Sequence, residues 1–347
     1  MLRLKHLLLL FYLFSLTLMA QQEDDIMFLS KFKLAGISVR AIEVTQENTL
    51  WFAGSRGRYG RIINDKMEID SISHEGRFPE FRSIASNGIF IYLLSIESPA
   101  LLYKIDPNKP LGQFELVYRE DDPKAFYDSL TFFDQIHGIA MGDPTDNCLS
   151  VIRTSDGGTT WTKLSCEDLP AVEQGEAAFA ASNSNIAVFK EKVWLVTGGT
   201  KARVFMSENY GSSWKAIETP IIQGSQMTGI FSVDFYDSNN GVIMGGDWDD
   251  KKNGKASKAI TADGGLTWNL LAENSLPGYI SCVQFIPGES ANKILAVSTE
   301  GIFYSEDKGI SWKQISETGY YSLRFIDKKN GWMSTHEEIV KIKLNNL

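Results

Sequence analysis

The chain has 347 residues, with 43 acidic against 34 basic side chains and a formal net charge of −9. That balance argues against nucleic acid and anionic membrane surfaces as partners. Three cysteines without a Cys-x-x-Cys pair (Cys148, Cys166, Cys282) and four scattered histidines (His6, His74, His137, His336) give neither metal-ligand spacing nor a His-based triad, so no metal is expected.

Met1–Ala20 joins a short basic start (Arg3, Lys5) to the apolar run Leu7–Leu18 and ends on Ala20. This reads as a secretory signal peptide, and the expected product is exported, periplasmic or secreted, with no membrane insertion after cleavage. A membrane anchor is the alternative, disfavoured because the run is short for a span. Loss of Arg3 and Lys5 takes the formal charge from −9 to −11. Residues 21–347 are then read as one domain, expected to be monomeric.

A pattern of Ser/Thr-x-Asp/Asn-x-Gly-x-Ser/Thr-Trp occurs four times, at Thr154–Trp161, Ser207–Trp214, Thr261–Trp268 and Ser305–Trp312. Each part suits a tight turn between antiparallel strands. The acid or amide (Asp156, Asn209, Asp263, Asp307) accepts from nearby N–H groups, the glycine adopts a positive φ, and the tryptophan anchors the outgoing strand. The pattern resembles the Asp-box, or BNR repeat, of β-propeller blades. That resemblance implies an all-β propeller whose boxes (Asp156, Trp161, Asn209, Trp214, Asp263, Trp268, Asp307, Trp312) are structural and lie away from any active site.

In a propeller the innermost strand of each blade recurs at a fixed interval. A polar residue followed by small and apolar ones starts at Arg40, Arg82, Asp128, Glu176, Ser232, Ser281 and Ser322, in steps of between 41 and 56 residues. Seven starts predict a seven-bladed β-propeller. Second strands follow at Thr49–Gly54, Ile89–Leu94, Gly138–Gly142, Lys192–Val196, Gly241–Gly245, Lys293–Val297 and Gly331–Ser334. Several are entered through turns such as Asp237–Gly241. After the strand Glu338–Leu344 the last blade lacks a fourth strand, and Met27–Leu34 is expected to supply it, closing the ring. No long helix is expected.

If first strands run from top to bottom, the Asp-boxes fall on the bottom rim, and the first-strand starts and second-strand ends meet at the top. The candidate ligand-binding residues there are Arg40, Arg82, Asp128, Asp143, Glu176, Ser232 and Asp247. Two arginines among carboxylates suit a carboxylated or polyhydroxylated ligand, and a carboxylate pair is able to supply an acid and a base. Equally, the arginines and carboxylates can satisfy one another across the channel. Cys148 and Cys166 flank the first box and are either bridged or free thiols. No Gly-rich phosphate loop is present, so no cofactor is expected.

At whole-chain level the segments Phe126–Asp128, Gly138–Pro144, Glu176–Ser182, Gly229–Ser232 and Gly245–Asp247 resemble exported propellers of the photosystem II stability/assembly factor group, whose members often carry the label oxidoreductase. No flavin, nicotinamide or haem motif supports that label here. The resemblance implies a binding or assembly module with a protein partner or a carbohydrate or small-molecule ligand. The alternative is a glycan-active hydrolase or lyase of sialidase type, for which Arg77–Pro79 is a faint match to an Arg-Ile-Pro element.

Overall fold

The computed structural model describes residues 25–45, 49–271 and 275–345; the segment 1–20, read as a signal peptide, lies outside them. Every regular element among these residues is a β-strand. Short β-branched and aromatic runs favour strands, and Gly, Asn and Asp between them favour turns.

The strands pair antiparallel into six sheets, four of which have four strands each, as in Tyr127–Phe132, Gly138–Gly142, Ser150–Thr154 and Thr162–Lys163. Second strands such as Leu50–Gly54, Ile91–Ser95 and Gly138–Gly142 are buried throughout their length. Neighbouring sheets cover both of their faces, so these strands read as continuous apolar runs rather than alternating ones.

Seven separate blades were expected, and the sheets number six. The strands assigned to the first and last blades share one sheet, ordered Ser322–Phe325, Asn330–Leu344, Ile26–Val44, Leu50–Gly54, Arg58–Ile63, Lys66–Ser71. Two long strands cause the merger. Ile26–Val44 pairs first with Asn330–Leu344, placing Ile26 opposite Leu344 and Phe32 opposite Ile339, and then with Leu50–Gly54, placing Ile42 opposite Phe52. The inner strands close a ring: Ile26–Val44 lies beside Phe81–Ser86, followed by Tyr127–Phe132, Ile186–Phe189, Thr228–Phe235, Cys282–Phe285 and Ser322–Phe325, which returns to Ile26–Val44. This is a β-propeller.

The core sits between sheets. Fully buried Trp194 stacks on Phe235 with ring centroids 3.5 Å apart, and Trp268 meets the same Phe235 edge-on at 6.0 Å. Tyr92, Phe132 and Trp161 form a similar cluster, Tyr92 and Phe132 being 4.7 Å apart. Cys148 and Cys166 are joined by a disulfide, their Cα atoms 5.4 Å apart, and Cys282 is a buried thiol.

The four repeated turns share the bonding around their Asp or Asn, and in all but the first the tryptophan indole N–H donates to the glycine carbonyl three residues before it, the Trp161 indole N–H being buried without a partner. At the third, Asp263 Oδ1 accepts from Thr261 Oγ1 at 2.7 Å and from the Thr267 N–H at 3.0 Å, and Oδ2 accepts from Thr267 Oγ1 at 2.6 Å. Trp268 Nε1 donates to the Gly265 carbonyl at 3.1 Å. Gly265 has φ +90°, and a Cβ there would lie 2.9 Å from Trp194 Nε1, so both conformation and space require glycine. In the second turn Asn209 Oδ1 accepts from the Ser212 and Ser213 N–H groups at 3.1 and 2.9 Å. Gly157 N–H donates to the Ile136 carbonyl and Gly264 N–H to that of Asn239, both at 2.9 Å, which ties the turns to loops joining inner and second strands. They therefore lie at the opposite end of the ring from the inner-strand starts.

Partial burial alone would raise the pKa of Asp156 and Asp263, but the donors around each outweigh it and hold both carboxyls at about 2. An unfolded Asp titrates near ~3.9. These carboxylates thus contribute stability that is fully present above pH ~4 and is lost as pH falls toward 2. The double variant Asp156→Asn, Asp263→Asn should fold at pH 7, because Asn209 already fills this role once. Its melting temperature should fall less than that of the wild type between pH 5 and pH 2; equal falls would contradict the assignment.

Candidate functional site

The fourth predicted inner strand, Glu176–Phe179, is not an inner strand. Only Glu176–Ala177 pairs, with Gly198–Gly199 at the edge of the sheet that holds Thr228–Phe235, and the inner position of its own blade, the four-stranded sheet through Lys192–Val196, is taken by Ile186–Phe189. The residues between, 178–185, cross the channel. Alanine and serine side chains are small enough for that space, and the exposed backbone groups of the crossing tract need partners.

Every other inner strand supplies such partners. Arg40 Nη1 donates to the Ala181 carbonyl at 3.1 Å and Arg82 Nη1 to that of Ala180 at 3.3 Å. Asn183 Nδ2 donates to the Ile84 carbonyl at 2.7 Å, while its Oδ1 accepts from the Leu130 N–H at 2.9 Å and Ser129 Oγ at 3.1 Å. Ser184 Oγ meets Ser232 Oγ at 2.8 Å, and the Val233 N–H donates to the Ser184 carbonyl at 2.8 Å. Ser182 Oγ donates to the Ser281 carbonyl. Arg324 Nη2 donates to the Asn183 carbonyl at 2.7 Å, and Ser322 Oγ to the Arg40 and Ser182 carbonyls.

Above the tract, at the end where inner strands begin, lies a cavity of about 330 Å³ lined by Arg40, Arg82, Asp143, Phe179, Phe231, Trp248 and Tyr279 among others. One wall is aromatic. Phe179 stacks on Phe231 at 3.9 Å, and Tyr279 stands edge-on to Phe231 at 4.8 Å and to Trp248 at 5.1 Å. Another part of the lining is cationic. The Arg40 guanidinium lies 4.0 Å from the Tyr321 ring centroid, and Arg82 Nε is 3.6 Å from Glu80 Oε1. Burial and the neighbouring Arg82 pull the pKa of Arg40 below its ordinary value. Burial pushes Asp143 up to about 6, against the Ala178 N–H that its Oδ1 accepts at 2.8 Å. Two guanidiniums beside apolar rings suit an anionic group attached to a flat or apolar body.

The other residues expected at the mouth have different places. Asp128 is fully buried beneath it. Glu176 does not line the cavity: its carboxylate is buried in an ion pair with Arg203, Oε1 accepting from Arg203 Nε at 3.1 Å and from Thr197 Oγ1 at 2.6 Å. Ser232 is buried, accepts from Ser184 and from the Val283 N–H at 2.9 Å, and so links strands without lining the cavity. Asp247 caps its own loop by accepting from the Asp249 N–H at 2.9 Å.

Sequence reasoning missed Arg203, Arg324 and the aromatic wall. The run Ser182–Asn185, four polar residues where an inner strand should have continued, was the available signal for the crossing tract. Phe231, Trp248 and Tyr279 come from two paired strands and a later loop, far apart in sequence, and long-range strand pairing brings them together.

A second cavity of about 640 Å³ opens at the other end of the channel and includes Glu43, Asp234, Gln284 and Arg324. Asp234 Oδ2 bridges neighbouring sheets by accepting from the Phe285 N–H at 2.7 Å. Burial raises Glu43 to about 7 and Asp234 to about 6. Among the described residues, no group of three or more His, Cys, Asp or Glu side chains is placed to hold a metal.

No family model matches the chain. A probable oligoxyloglucan-reducing end-specific xyloglucanase of Neosartorya fischeri is 23% identical over 194 residues, a match covering 50% of this chain and 22% of that protein, so the shared region is about a fifth of the relative's length. Among solved structures, YCF48 bound to D1 peptide superposes with a TM-score of 0.65 at 13% identity, covering 91% of this chain and 95% of that one. YCF48 from Cyanidioschyzon merolae gives 0.64 at 13% identity, covering 92% and 100%. The Neurospora crassa Pan2 WD40 domain gives 0.64 at 12% identity, covering 93% and 97%. At these identities the likeness shows the β-propeller fold alone.

The Glu176–Arg203 pair generates a stability prediction. Removing one partner leaves the other charge buried and unpaired, which typically costs about 3–5 kcal/mol, whereas replacing both is close to neutral. Denaturant unfolding of Arg203→Met should show a loss of that order, and Glu176→Gln, Arg203→Met should recover most of it. A double variant as unstable as the single one would show that the pair is not the reason.

Proposed function

We propose that this chain is an exported seven-bladed binding module, its six-stranded merged sheet counting as two blades and its four repeated turns being Asp-boxes, and that the cavity above the crossing tract grips a protein segment. The favoured segment carries an acidic group next to an aromatic or apolar side chain. The observation that carries this reading is the pairing of Arg40 and Arg82 with an aromatic wall around one cavity. Each guanidinium is tied to a main-chain carbonyl through a single Nη1 hydrogen bond; Arg82 also pairs with Glu80, and Arg40 keeps its other N–H groups for a carboxylate. Support also comes from the shared fold with a propeller described as bound to a peptide. Export rests on the segment 1–20 and is consistent with the Cys148–Cys166 disulfide, since disulfides persist in oxidising compartments.

A second reading, glycan hydrolysis, is favoured by the resemblance to a xyloglucanase. Of its four candidate carboxylates, Glu176 is locked to Arg203 and Asp128 is fully buried, which leaves Asp143 and Asp247.

Binding to an array of acidic-aromatic peptides tests the first reading. Arg40→Ala and Arg82→Ala should each weaken capture about tenfold or more, equivalent to ~1.4 kcal/mol, without lowering the melting temperature enough to unfold the chain. Undiminished capture by both variants would contradict the site. Turnover of xyloglucan oligosaccharides or chromogenic glycosides that disappears in Asp143→Asn would instead establish the second reading.

A further inference from the structure

Two opposite charges line the upper cavity without neutralising one another. Asp143 and Arg40 are both half-buried, and both line the same space. Among the described residues Asp143 forms no ion pair: its Oδ1 accepts the Ala178 N–H at 2.8 Å, and that N–H alone offsets the effect of burial on its carboxyl. Arg40 has no ion pair either. Its Nη1 donates to the Ala181 carbonyl at 3.1 Å and its guanidinium lies over the Tyr321 ring, while the one carboxylate that acts on it, Glu80, is paired with Arg82 at 3.6 Å.

The crossing tract anchors the two charges at separate points. Asp143 is held at Ala178 and Arg40 at Ala181, three residues on, where the Ala181 N–H folds back to the Phe179 carbonyl at 2.7 Å. Three extended residues span at most about 10 Å, and the turn makes the separation of these anchors shorter. A charge taken out of water without a counter-ion is costly. A ligand with one group of each sign relieves both charges, whereas a purely acidic one satisfies Arg40 and brings a like charge into the cavity that Asp143 lines. Asp143 can take such a partner, since a carboxylate accepts up to about four hydrogen bonds and this one holds a single bond to the tract.

We infer that the segment gripped at the mouth carries a basic side chain as well as an acidic one, the acid meeting Arg40 and the base meeting Asp143, with the aromatic residue between them in sequence. This rests on the reading of the mouth as a site for acidic-aromatic segments and adds the second charge that such a segment brings. Residues two apart in an extended segment share a face and lie about 7 Å from one another, which matches the short separation of the two anchors.

The probes are N-acetyl-Glu-Phe-Lys amide and its reverse, N-acetyl-Lys-Phe-Glu amide, each compared with versions carrying Gln in place of Lys or in place of Glu. They are titrated calorimetrically into the purified chain at pH 7.5, above the range near 6 in which Asp143 changes charge. In the order that binds better, replacing Lys by Gln should weaken binding roughly tenfold, as should replacing Glu by Gln. Asp143→Asn keeps an acceptor for the Ala178 N–H; with it the Lys and Gln versions should bind within about twofold of each other while the dependence on Glu remains. Arg40→Ala should show the converse. A retained melting transition identifies the folded variants, and the swaps in the ligand leave the protein unaltered. Equal binding of the Lys and Gln versions in both orders overturns the inference and leaves the acidic-aromatic reading standing. A preference for Lys that survives in Asp143→Asn does the same, because the base then sits elsewhere. Absence of binding by every Glu-bearing probe, or binding indifferent to the Glu swap, overturns both.

Discussion

The crossing tract 178–185 is the constraint on which the rest of the molecule depends. A strand inside a sheet finds its hydrogen bonds in its neighbours; a segment that leaves the sheet to cross the channel has none, and its carbonyls would be stranded. Asn183 resolves much of this alone, with its amide bonded to Ile84 and its carbonyl oxygen accepting from Ser129 and Leu130. The arginines at positions 40, 82 and 324 and the serines at 182, 184 and 322 complete the set. Six inner strands are in this way fastened to one short piece of chain, and the ring is braced at its centre as well as between its sheets.

The shape of the upper cavity follows from that brace. By filling the channel, the tract separates the two end cavities and gives the upper one a floor. It fixes Phe179 against Phe231, and through the carbonyls of Ala180 and Ala181 it aims Arg40 and Arg82. Sites held by packed and hydrogen-bonded neighbours lose little freedom when a ligand arrives, which favours affinity per contact. The opposite cavity has carboxylates too, but there Asp234 is taken up in bridging adjacent sheets.

The repeated turns made the fold legible: each Ser/Thr, Asp or Asn and Gly has a local bond to make, as do three of the four tryptophans, and local bonding is what a short motif encodes. Inner strands beginning at Arg40, Arg82 and Asp128 were readable for the same reason. Glu176 was misread because Glu176–Phe179 has the inner-strand pattern, while the decision between strand and crossing tract lies in Asn183 and its partners more than fifty residues away in sequence. The count of blades exceeded the count of sheets because pairing between the two ends of the chain is a long-range fact that a repeat pattern does not contain. Arg40, Arg82 and Asp143 were found at the mouth from strand direction alone. The aromatic wall was not, since apolar rings in a β protein read as core until the ring of sheets leaves some of them facing a cavity.

Hydrogen exchange of the segment covering residues 177–185 tests the central claim most directly, because amides held by a bracing tract open only when the whole molecule unfolds. The account predicts protection equal to that of the inner strand Tyr127–Phe132. Exchange of 177–185 within seconds while Tyr127–Phe132 stays protected would show a loosely held loop in the channel and would contradict it.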